Sequence, residues 1–472
     1  MSETITEMVL PGTYIEVRAE GLIGVSGIAT GNLGVVGTAA RGPVNEVVLL
    51  GSYAEAVDAF GPYDAWSTAA GAHPLSLTRT IEQLFRGGAS TVYAVRIAGS
   101  GLAATKWDLT DAGTTPAKVV FLEAKTPGTW AENIVVSLSV DSTSGAQTLT
   151  LELGKQKETF TGDNAGEIFD AVNAGSALVK VVDLKQTDRT KTLKASNPVP
   201  IAVHGANGEA AGGSAADTGL KLLASQPVNI LVVGGLSVAD VSAQVLGHLE
   251  DTENDGRERI AVLGTRSADL AEIASDSALV GNPRVVLVAP GIFAADAASP
   301  GGGNVNLPPS YAAALVAAKM STLASQVSLT NKDVAAAGLT RIYTRAEQKQ
   351  LLGERILVLR QNLGFRILKG ISTDPGAFGQ ITTRRIIDEG KEAARRSASS
   401  YIGKLNNARV RDALRATLAG SLNDMVVAEK LIGYDLAVTA TREQEIAGKA
   451  LVTMTLQPTF SIDFIQIIMN LS

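Results

Sequence analysis

The side chains that most often carry enzymatic chemistry are scarce in this sequence. It contains no Cys and three His, at His73, His204 and His248, whose spacing is not that of metal ligands. The lack of Cys excludes disulfides, thiolate nucleophiles, iron–sulfur clusters and Cys-type zinc sites. We interpret the histidines as structural, with His73 in a loop, His204 beside a linker and His248 on a helix surface. We therefore predict no catalytic residue, no cofactor and no metal ligand.

Motifs that bind phosphates or build nucleophilic sites are not matched either. Gly448–Ala450 and Gly403–Leu405 place an apolar residue after Gly-Lys, where a P-loop needs Ser or Thr. No G-x-G-x-x-G follows a predicted strand, and no G-x-S-x-G elbow occurs. Asp141–Gly145 resembles part of an adhesion-type metal motif, but its position between two β-rich runs favours a hairpin turn.

Three apolar runs, separated by helical patterns, predict the core of the fold. The runs cover residues 228–234, 259–264 and 283–291 and do not alternate with polar residues. Such strands are buried on both faces, and their alternation with helices predicts right-handed crossovers and a parallel sheet. The carboxyl ends of these strands offer only Thr265 as a polar side chain. The edge where such sheets usually hold their catalytic residues is therefore nearly empty.

Changes in composition along the 472 residues predict five segments. Residues 1–25 and 446–472 form N- and C-terminal strand arms, residues 26–100 and 206–445 form two parts of a core domain, and residues 101–205 form an inserted outer domain. The predicted fold class is α/β. It comprises a core domain with a mixed or parallel sheet and flanking helices, a β-rich inserted domain, and extended terminal arms.

Charge and hydropathy limit the partners of the chain. It has 41 Lys and Arg against 47 Asp and Glu, a net charge of -6, which argues against a nucleic-acid partner. The uncharged run 21–40 approaches the length of a membrane span, but its many glycines favour a loop followed by a buried strand at 33–37. The acidic first residues predict no secretory signal, and hence a cytoplasmic protein.

Both ends of the chain show β alternation, and the last residues are strongly apolar. An unpaired strand of this kind promotes self-association. Two interpretations remain open: pairing within the chain's own sheet, or addition to a sheet of a neighbouring copy, which generates rings or helical filaments. The residues that we assign to inter-subunit arms are Tyr14, Ile15, Val17, Val452, Met454, Leu456, Phe460, Ile462, Phe464, Ile465 and Ile467.

A basic cluster stands out in the helical last third of this acidic chain. Interleaved acidic residues at i,i+4 spacing, such as Asp388 after Arg384, favour a self-neutralised helix surface. The alternative is a surface that grips an acidic partner. The cluster comprises Arg384, Arg385, Lys391, Arg395, Arg396, Lys404, Arg409, Arg411 and Arg415.

Short motifs at Pro11–Glu16, Gly34–Asn45, Phe85–Arg96, Pro127–Asn133 and Leu456–Ile468 follow one another in a characteristic order. In that order they resemble the tail sheath proteins of contractile phage tails and related contractile injection particles. The resemblance covers both ends and the core, and leaves the middle of the insertion unmatched.

The resemblance implies a structural subunit that polymerises as a helical stack of rings around an inner tube. Terminal arms would complete small sheets on neighbouring copies, and contraction from a metastable extended state would drive the tube through a target envelope without nucleotide. The implied partners are further copies of the chain, the inner tube protein, and baseplate and tail-terminator or cap proteins. The basic cluster is our candidate contact with the tube.

The resemblance also implies assembly in the bacterial cytoplasm, as part of a phage tail or an injection particle that can be released. No membrane span is expected. Two other functions stay open at this stage: a static self-assembling shell or filament protein, and an oligomeric α/β enzyme. The enzyme would require a pocket with titratable groups, and only a change of length between two states separates a contractile sheath from a static shell.

Overall fold

A computed structural model describes residues 30–182 and 185–469 of the chain. The first part of the core contains β1 (Leu33–Gly37), β2 (Val47–Leu50), α1 (Tyr53–Phe60), α2 (Leu77–Arg86) and β3 (Val92–Arg96). As the sequence suggests, Ser52 caps α1, its side chain accepting a hydrogen bond from the Glu55 backbone.

The inserted segment is built mainly from strands. It contains β4 (Lys106–Thr110), β5 (Lys118–Ala124), β6 (Val135–Val140), β7 (Gln147–Leu153), β8 (Gln156–Gly162), α3 (Ala165–Gly175), β9 (Val179–Val182) and β10 (Ile201–Val203), with 3-10 turns at Thr129–Asn133 and Gln186–Asp188. These strands form a four-stranded sheet, β10-β4-β5-β9, and a three-stranded sheet, β6-β7-β8. The two sheets and α3 enclose a separate apolar core around Trp107 and Phe169.

The second part of the core alternates strands and helices. It contains α4 (Gly213–Leu223), β11 (Ile230–Val233), α5 (Val238–Asn254), β12 (Ile260–Gly264), α6 (Leu270–Ser277), β13 (Val285–Ala289), β14 (Ile292–Ala295), β15 (Asn304–Leu307), α7 (Pro309–Ser321), β16 (Gly338–Leu339), α8 (Arg345–Gly353), β17 (Leu357–Gln361) and β18 (Phe365–Ile367). Strands β14, β15 and β16 form a small sheet of their own.

One eight-stranded sheet, in the order β18-β17-β13-β12-β11-β1-β3-β2, joins both parts of the core. Its six inner strands are parallel, whereas the edge strands β2 and β18 pair antiparallel. Apolar side chains of α2 and α7 cover one face, and those of α4, α5 and α8 cover the other. The expected mixed α/β architecture with extra β-sheets is confirmed.

The last part of the described chain is a helical pair followed by a hairpin. It contains α9 (Ile381–Ser399), α10 (Ala408–Val427), β19 (Leu431–Thr439), α11 (Arg442–Ile446) and β20 (Leu451–Pro458). No helix among the described residues is both long enough and apolar enough to cross a membrane.

The junction between core and insertion depends on a very close approach of two backbones. Gly128 has φ +133°, and a Cβ built there would lie 2.0 Å from the Ala40 carbonyl oxygen. Beside it, the buried Arg96 guanidinium donates to the carbonyl oxygens of Gly42, at 2.9 Å, and Pro127, at 2.8 Å. Arg96 therefore links a core loop to the start of the insertion.

We predict that Gly128→Ala destabilises the protein by more than about 1 kcal/mol, because alanine disfavours this φ and its methyl group collides with the Ala40 carbonyl. Gly247→Ala in α5 is the matched control, since a methyl group at this position would have no atom within 4 Å and alanine favours the helix. Urea unfolding monitored by circular dichroism compares the two. Equal midpoints would contradict the role assigned to the junction.

Candidate assembly interface

Helices α9 and α10 and the β19–β20 hairpin pack into one unit. Ile386 of α9, Leu422 and Met425 of α10, and Leu456 of β20 share an apolar cluster. Farther along the two helices, Leu418 packs in a second cluster with partly buried side chains of the hairpin. The helices thus support one face of the hairpin along its length.

The hairpin takes up three residues that the sequence assigned to an inter-subunit arm. Val452, Met454 and Leu456 lie in β20, each directly opposite a residue of β19 in the antiparallel register. Leu456 is buried, and the other two are half-buried on the helix-facing side. The period-two pattern correctly marks a strand, and within one copy this strand packs on α9 and α10.

The outer edges of this hairpin are open. Within the described part of the chain, β19 and β20 form a two-stranded sheet and neither strand pairs with a third. Because each edge presents unpaired N–H and C=O groups, it is a template for another strand. A groove of about 740 Å³ lies between α10 and the hairpin, lined by Asp412, Arg415, Ala416, Ala419, Tyr434, Asp435, Leu436, Ala437, Thr453 and Thr455.

The groove follows the backbone of β19. Four consecutive residues, 434–437, line it, although successive side chains of a strand point to opposite faces. On the helix side, the groove is lined by the small side chains of Ala416 and Ala419, which leave it wide. This shape, beside the open edge of β19, suits an extended peptide better than a compact ligand.

The segment after β20 is extended and exposes a row of large apolar side chains. Exposure is 58% for Phe460, 81% for Ile462, 84% for Phe464, 80% for Ile465 and 76% for Ile467. These residues belong to no strand or helix. The predicted arm residues Tyr14, Ile15 and Val17 lie outside the described residues.

The basic cluster divides into a buried and an exposed part. Arg384, Arg385 and Lys391 are buried, and Arg395 and Arg411 are half-buried. The three buried side chains face the interior of their own copy. Four of the nine predicted residues remain exposed: Arg396, Lys404, Arg409 and Arg415.

An ion-pair network explains the burial of α9. Arg284, at the start of β13, contacts Glu253 of α5 and Asp388 of α9, each at 2.6 Å. Arg384 reaches Asp388 at 2.7 Å, as the i,i+4 spacing indicates. Lys391 contacts Glu253 at 2.6 Å. These contacts fasten α9 to the eight-stranded sheet.

The network sets the charge state of its members. Burial alone would raise the pKa of Asp388, but Arg284 and Arg384 outweigh it and hold this pKa below its ordinary value. Burial likewise opposes the charge of Arg284, while Asp388 and Glu253 raise its pKa well above the usual range. The pair stays ionised because each partner compensates the desolvation of the other.

Other α9 side chains are also committed inside the chain. Arg385 donates to the backbone carbonyl oxygens of Leu323, at 2.8 Å, and Ala324, at 3.2 Å, and burial lowers its pKa to about 10. Arg395 pairs with Glu258. Arg411, at the start of α10, pairs with Glu445 of α11 at 2.9 Å. The sequence offered no sign of these distant partners.

The histidines and the Asp141 motif occupy structural positions. His248 is buried, not on a surface as expected. Arg259 Nη1 lies 3.1 Å from its Nε2 atom. Burial, and to a smaller extent the charge of Arg259, lowers the pKa of His248 to about 4. Asp141 caps the β6–β7 turn, accepting from the Thr143 and Ser144 backbones at 2.9 and 2.7 Å. In residues 30–182 and 185–469, no group of three or more His, Asp or Glu is placed to hold a metal ion.

Comparison with known proteins gives one family and one fold. The family model described as "Phage tail sheath C-terminal domain" matches residues 373–472, which include α9, α10 and the hairpin. No curated protein sequence matches the chain.

The whole chain is similar to solved sheath structures. The sheath tail protein from Desulfitobacterium hafniense has 15% identity and a TM-score of 0.64, covering 96% of this chain and 100% of that protein. The sheath tail protein from Listeria innocua has 14% identity and a TM-score of 0.65, with coverages of 93% and 94%.

Sheaths of injection particles have the same fold. The contracted PVC sheath, from an extracellular contractile injection system, has 15% identity, a TM-score of 0.57 and 99% coverage of both chains. The matched proteins are structural sheath components rather than enzymes. Residues 373–472 thus match the model of the phage tail sheath C-terminal domain, and the chain as a whole has the fold of tail sheath proteins.

Proposed function

We propose that this chain is the subunit of a contractile sheath. Copies polymerise helically around an inner tube, and contraction from a metastable extended state drives the tube through a target envelope. The observation that carries this proposal is that one chain holds both an open strand edge and an exposed apolar tail that pairs with no strand among the described residues. The fold shared with the contracted PVC sheath supports it.

The tail 459–469 is the proposed donor. Its side chains from Phe460 to Met469 include seven large apolar residues that are 58–85% exposed. Burying one such side chain gains roughly 1.5–3 kcal/mol, so several of them can offset the cost of ordering a terminal segment. A neighbouring copy offers a surface that removes them from water.

The β19–β20 hairpin is the proposed acceptor. A strand added to its open edge gains about 1 kcal/mol per backbone hydrogen bond, and the groove beside α10 provides room for alternate side chains. Donor and acceptor are different surfaces of one chain, so the contact is heterologous and continues from copy to copy. The N-terminal segment with Tyr14, Ile15 and Val17 is proposed as a second donor.

The arms keep neighbours connected while the core domains change position. This makes the energy of contraction a property of the assembled lattice, and nucleotide is not required. Further proposed partners are the inner tube, the baseplate and a tail-terminator or cap protein. Assembly is proposed in the bacterial cytoplasm, before the phage tail or particle is released.

The exposed basic residues at the α9–α10 turn are the remaining candidates for the tube contact. Lys404 lies within this turn and Arg409 follows it at the start of α10. In the same turn, Ile402 and Leu405 are 50% and 77% exposed. Exposed ion pairs contribute about 0–1 kcal/mol each, which suits a contact that must release during contraction.

We predict that the variant Phe464→Ser with Ile465→Ser and Ile467→Ser stays folded and soluble but does not form sheaths, because it lacks the apolar donor. Ile342→Ser, which removes another exposed apolar side chain, 63% exposed, should assemble normally. Negative-stain electron microscopy of the purified proteins measures the fraction in cylinders. Normal cylinders from the triple variant would contradict the donor role, as would normal sheaths after deletion of 460–472.

The acceptor is tested by filling the groove. Ala416→Phe with Ala419→Phe should leave α10 folded, since both sites border the open groove, and should prevent assembly by occupying the space beside β19. Ala413→Phe is the control on the same helix, at an exposed site that does not line the groove. Sedimentation compares the assembled fractions. Equal assembly of both variants would exclude this groove as the acceptor.

The tube contact is tested by charge reversal. Lys404→Glu with Arg409→Glu should preserve folding, because both residues are exposed, and should weaken co-assembly with the tube protein. Lys155→Glu, at an exposed site of the insertion, is the control. Co-sedimentation with preformed tubes at two salt concentrations measures the effect. Unchanged tube binding would show that these residues only form a solvated surface.

The static-shell alternative has a separate test. Cylinders that have one fixed length with and without the tube would favour a static shell.

A further inference from the structure

The apolar tail contains one charged residue, and that residue is the one whose side chain is buried. Asp463 is the only Asp, Glu, Lys or Arg in residues 450–472. Its side chain is 8% exposed, whereas its neighbours Ile462 and Phe464 are 81% and 84% exposed. At this point of the tail, the charged side chain is buried and the apolar side chains are exposed, which is the reverse of the usual arrangement.

A small socket on the core receives the Asp463 carboxylate. Thr330 Oγ1 donates to Asp463 Oδ1 at 3.2 Å, and Lys369 Nζ lies 3.5 Å from Oδ2. Ser461 donates to Oδ1 at 3.3 Å from within the tail. The Lys369 ammonium also lies 5.2 Å from the centre of the Phe464 ring. The core thus contacts the tail at Asp463 and at the adjacent Phe464.

The core orients this socket before the tail arrives. Thr330 Oγ1 accepts hydrogen bonds from the Gly370 backbone, at 3.1 Å, and from Ser328, at 3.0 Å. Its own proton is then left to be donated to Asp463. Gly370 allows the close approach that brings Lys369 beside Thr330, since a Cβ there would lie 3.0 Å from the Leu329 side chain.

We propose that Asp463 is a positioning residue that anchors the root of the tail to its own core, so that, within the donor segment 459–469, the part free to reach a neighbouring copy begins at Phe464. This rests on the proposed role of the tail as donor. Without the anchor, the free segment would begin after β20, five residues earlier, and would gain roughly 17 Å of reach. The anchor therefore fixes where and in which direction the donor strand leaves its subunit.

A fixed root favours association with one neighbour at one spacing. A strand that is already held in place loses less conformational freedom on docking. An unanchored tail would search a larger volume, and its effective concentration at the correct edge would fall.

The lack of Cys allows a direct test. A single spin label at Ile467→Cys reports the mobility of the tail in the unassembled chain, isolated by size exclusion. Asp463→Asn should shorten the rotational correlation time of the label several-fold, whereas Asp58→Asn, at an exposed site of α1, should leave it unchanged. The exchange of charges in Asp463→Lys with Lys369→Asp should restore the slow motion. Circular dichroism verifies that each variant is folded.

Each result bears on the anchor separately from the donor role. An unchanged correlation time in Asp463→Asn would overturn the anchor, whether or not sheaths form. A mobile tail combined with a several-fold lower rate of sheath assembly is the expected result. A mobile tail with an unchanged assembly rate would overturn the positioning role while leaving the tail as donor. Normal assembly of the serine variant would instead contradict the proposed function.

Discussion

The arrangement of the unit formed by α9, α10 and the β19–β20 hairpin depends on the charges buried between α9 and the eight-stranded sheet. The Arg284 side chain is buried in the core, and Glu253 and Asp388 compensate its positive charge. Breaking such a buried pair typically costs about 3–5 kcal/mol, far more than an exposed ion pair contributes. The pair thus holds α9, and with it α10 and the hairpin, in a fixed relation to the core.

The fixed position of α9 also determines where the open hairpin edge lies relative to the core and the tail. The open hairpin edge is carried by helices that are fastened to the sheet, and the tail is carried by a socket on the same core. In the proposed lattice, a pull on the tail is therefore transmitted through Asp463 and through β20 to the core of its subunit. Relative movement of the subunits is then absorbed by conformational change in the tails, and the packed units stay unchanged.

Part of this architecture could be predicted from local sequence patterns. The three apolar runs indicated the parallel strands β11, β12 and β13, because strands buried on both faces lack polar alternation. The spacing of Arg384 and Asp388 indicated their ion pair. Capping residues placed the start of α1 correctly. In each case the determining contacts lie within one element or between neighbouring turns.

The remaining features depend on partners far apart in the chain. Arg284 and Asp388 are separated by 104 residues, so no local pattern shows that α9 has a buried charged face. The alternation in β20 does not reveal whether its partner is β19 or a neighbouring subunit. Lys369 and Asp463 are similar in this respect, because they lie far apart in the chain and no local pattern indicates that they pair.

The insertion adds a separate property to the molecule. Its two connections to the core run side by side, with Ala103 and Ala206 exchanging backbone hydrogen bonds at 3.1 and 2.9 Å, and Gly99 donating to the Gly208 carbonyl at 2.7 Å. An entry and an exit that meet at one point leave the order of the eight-stranded sheet unaffected by what lies between them. If the chain acts as the proposed sheath subunit, the insertion is an interchangeable module that can differ in length and sequence while the eight-stranded sheet stays the same.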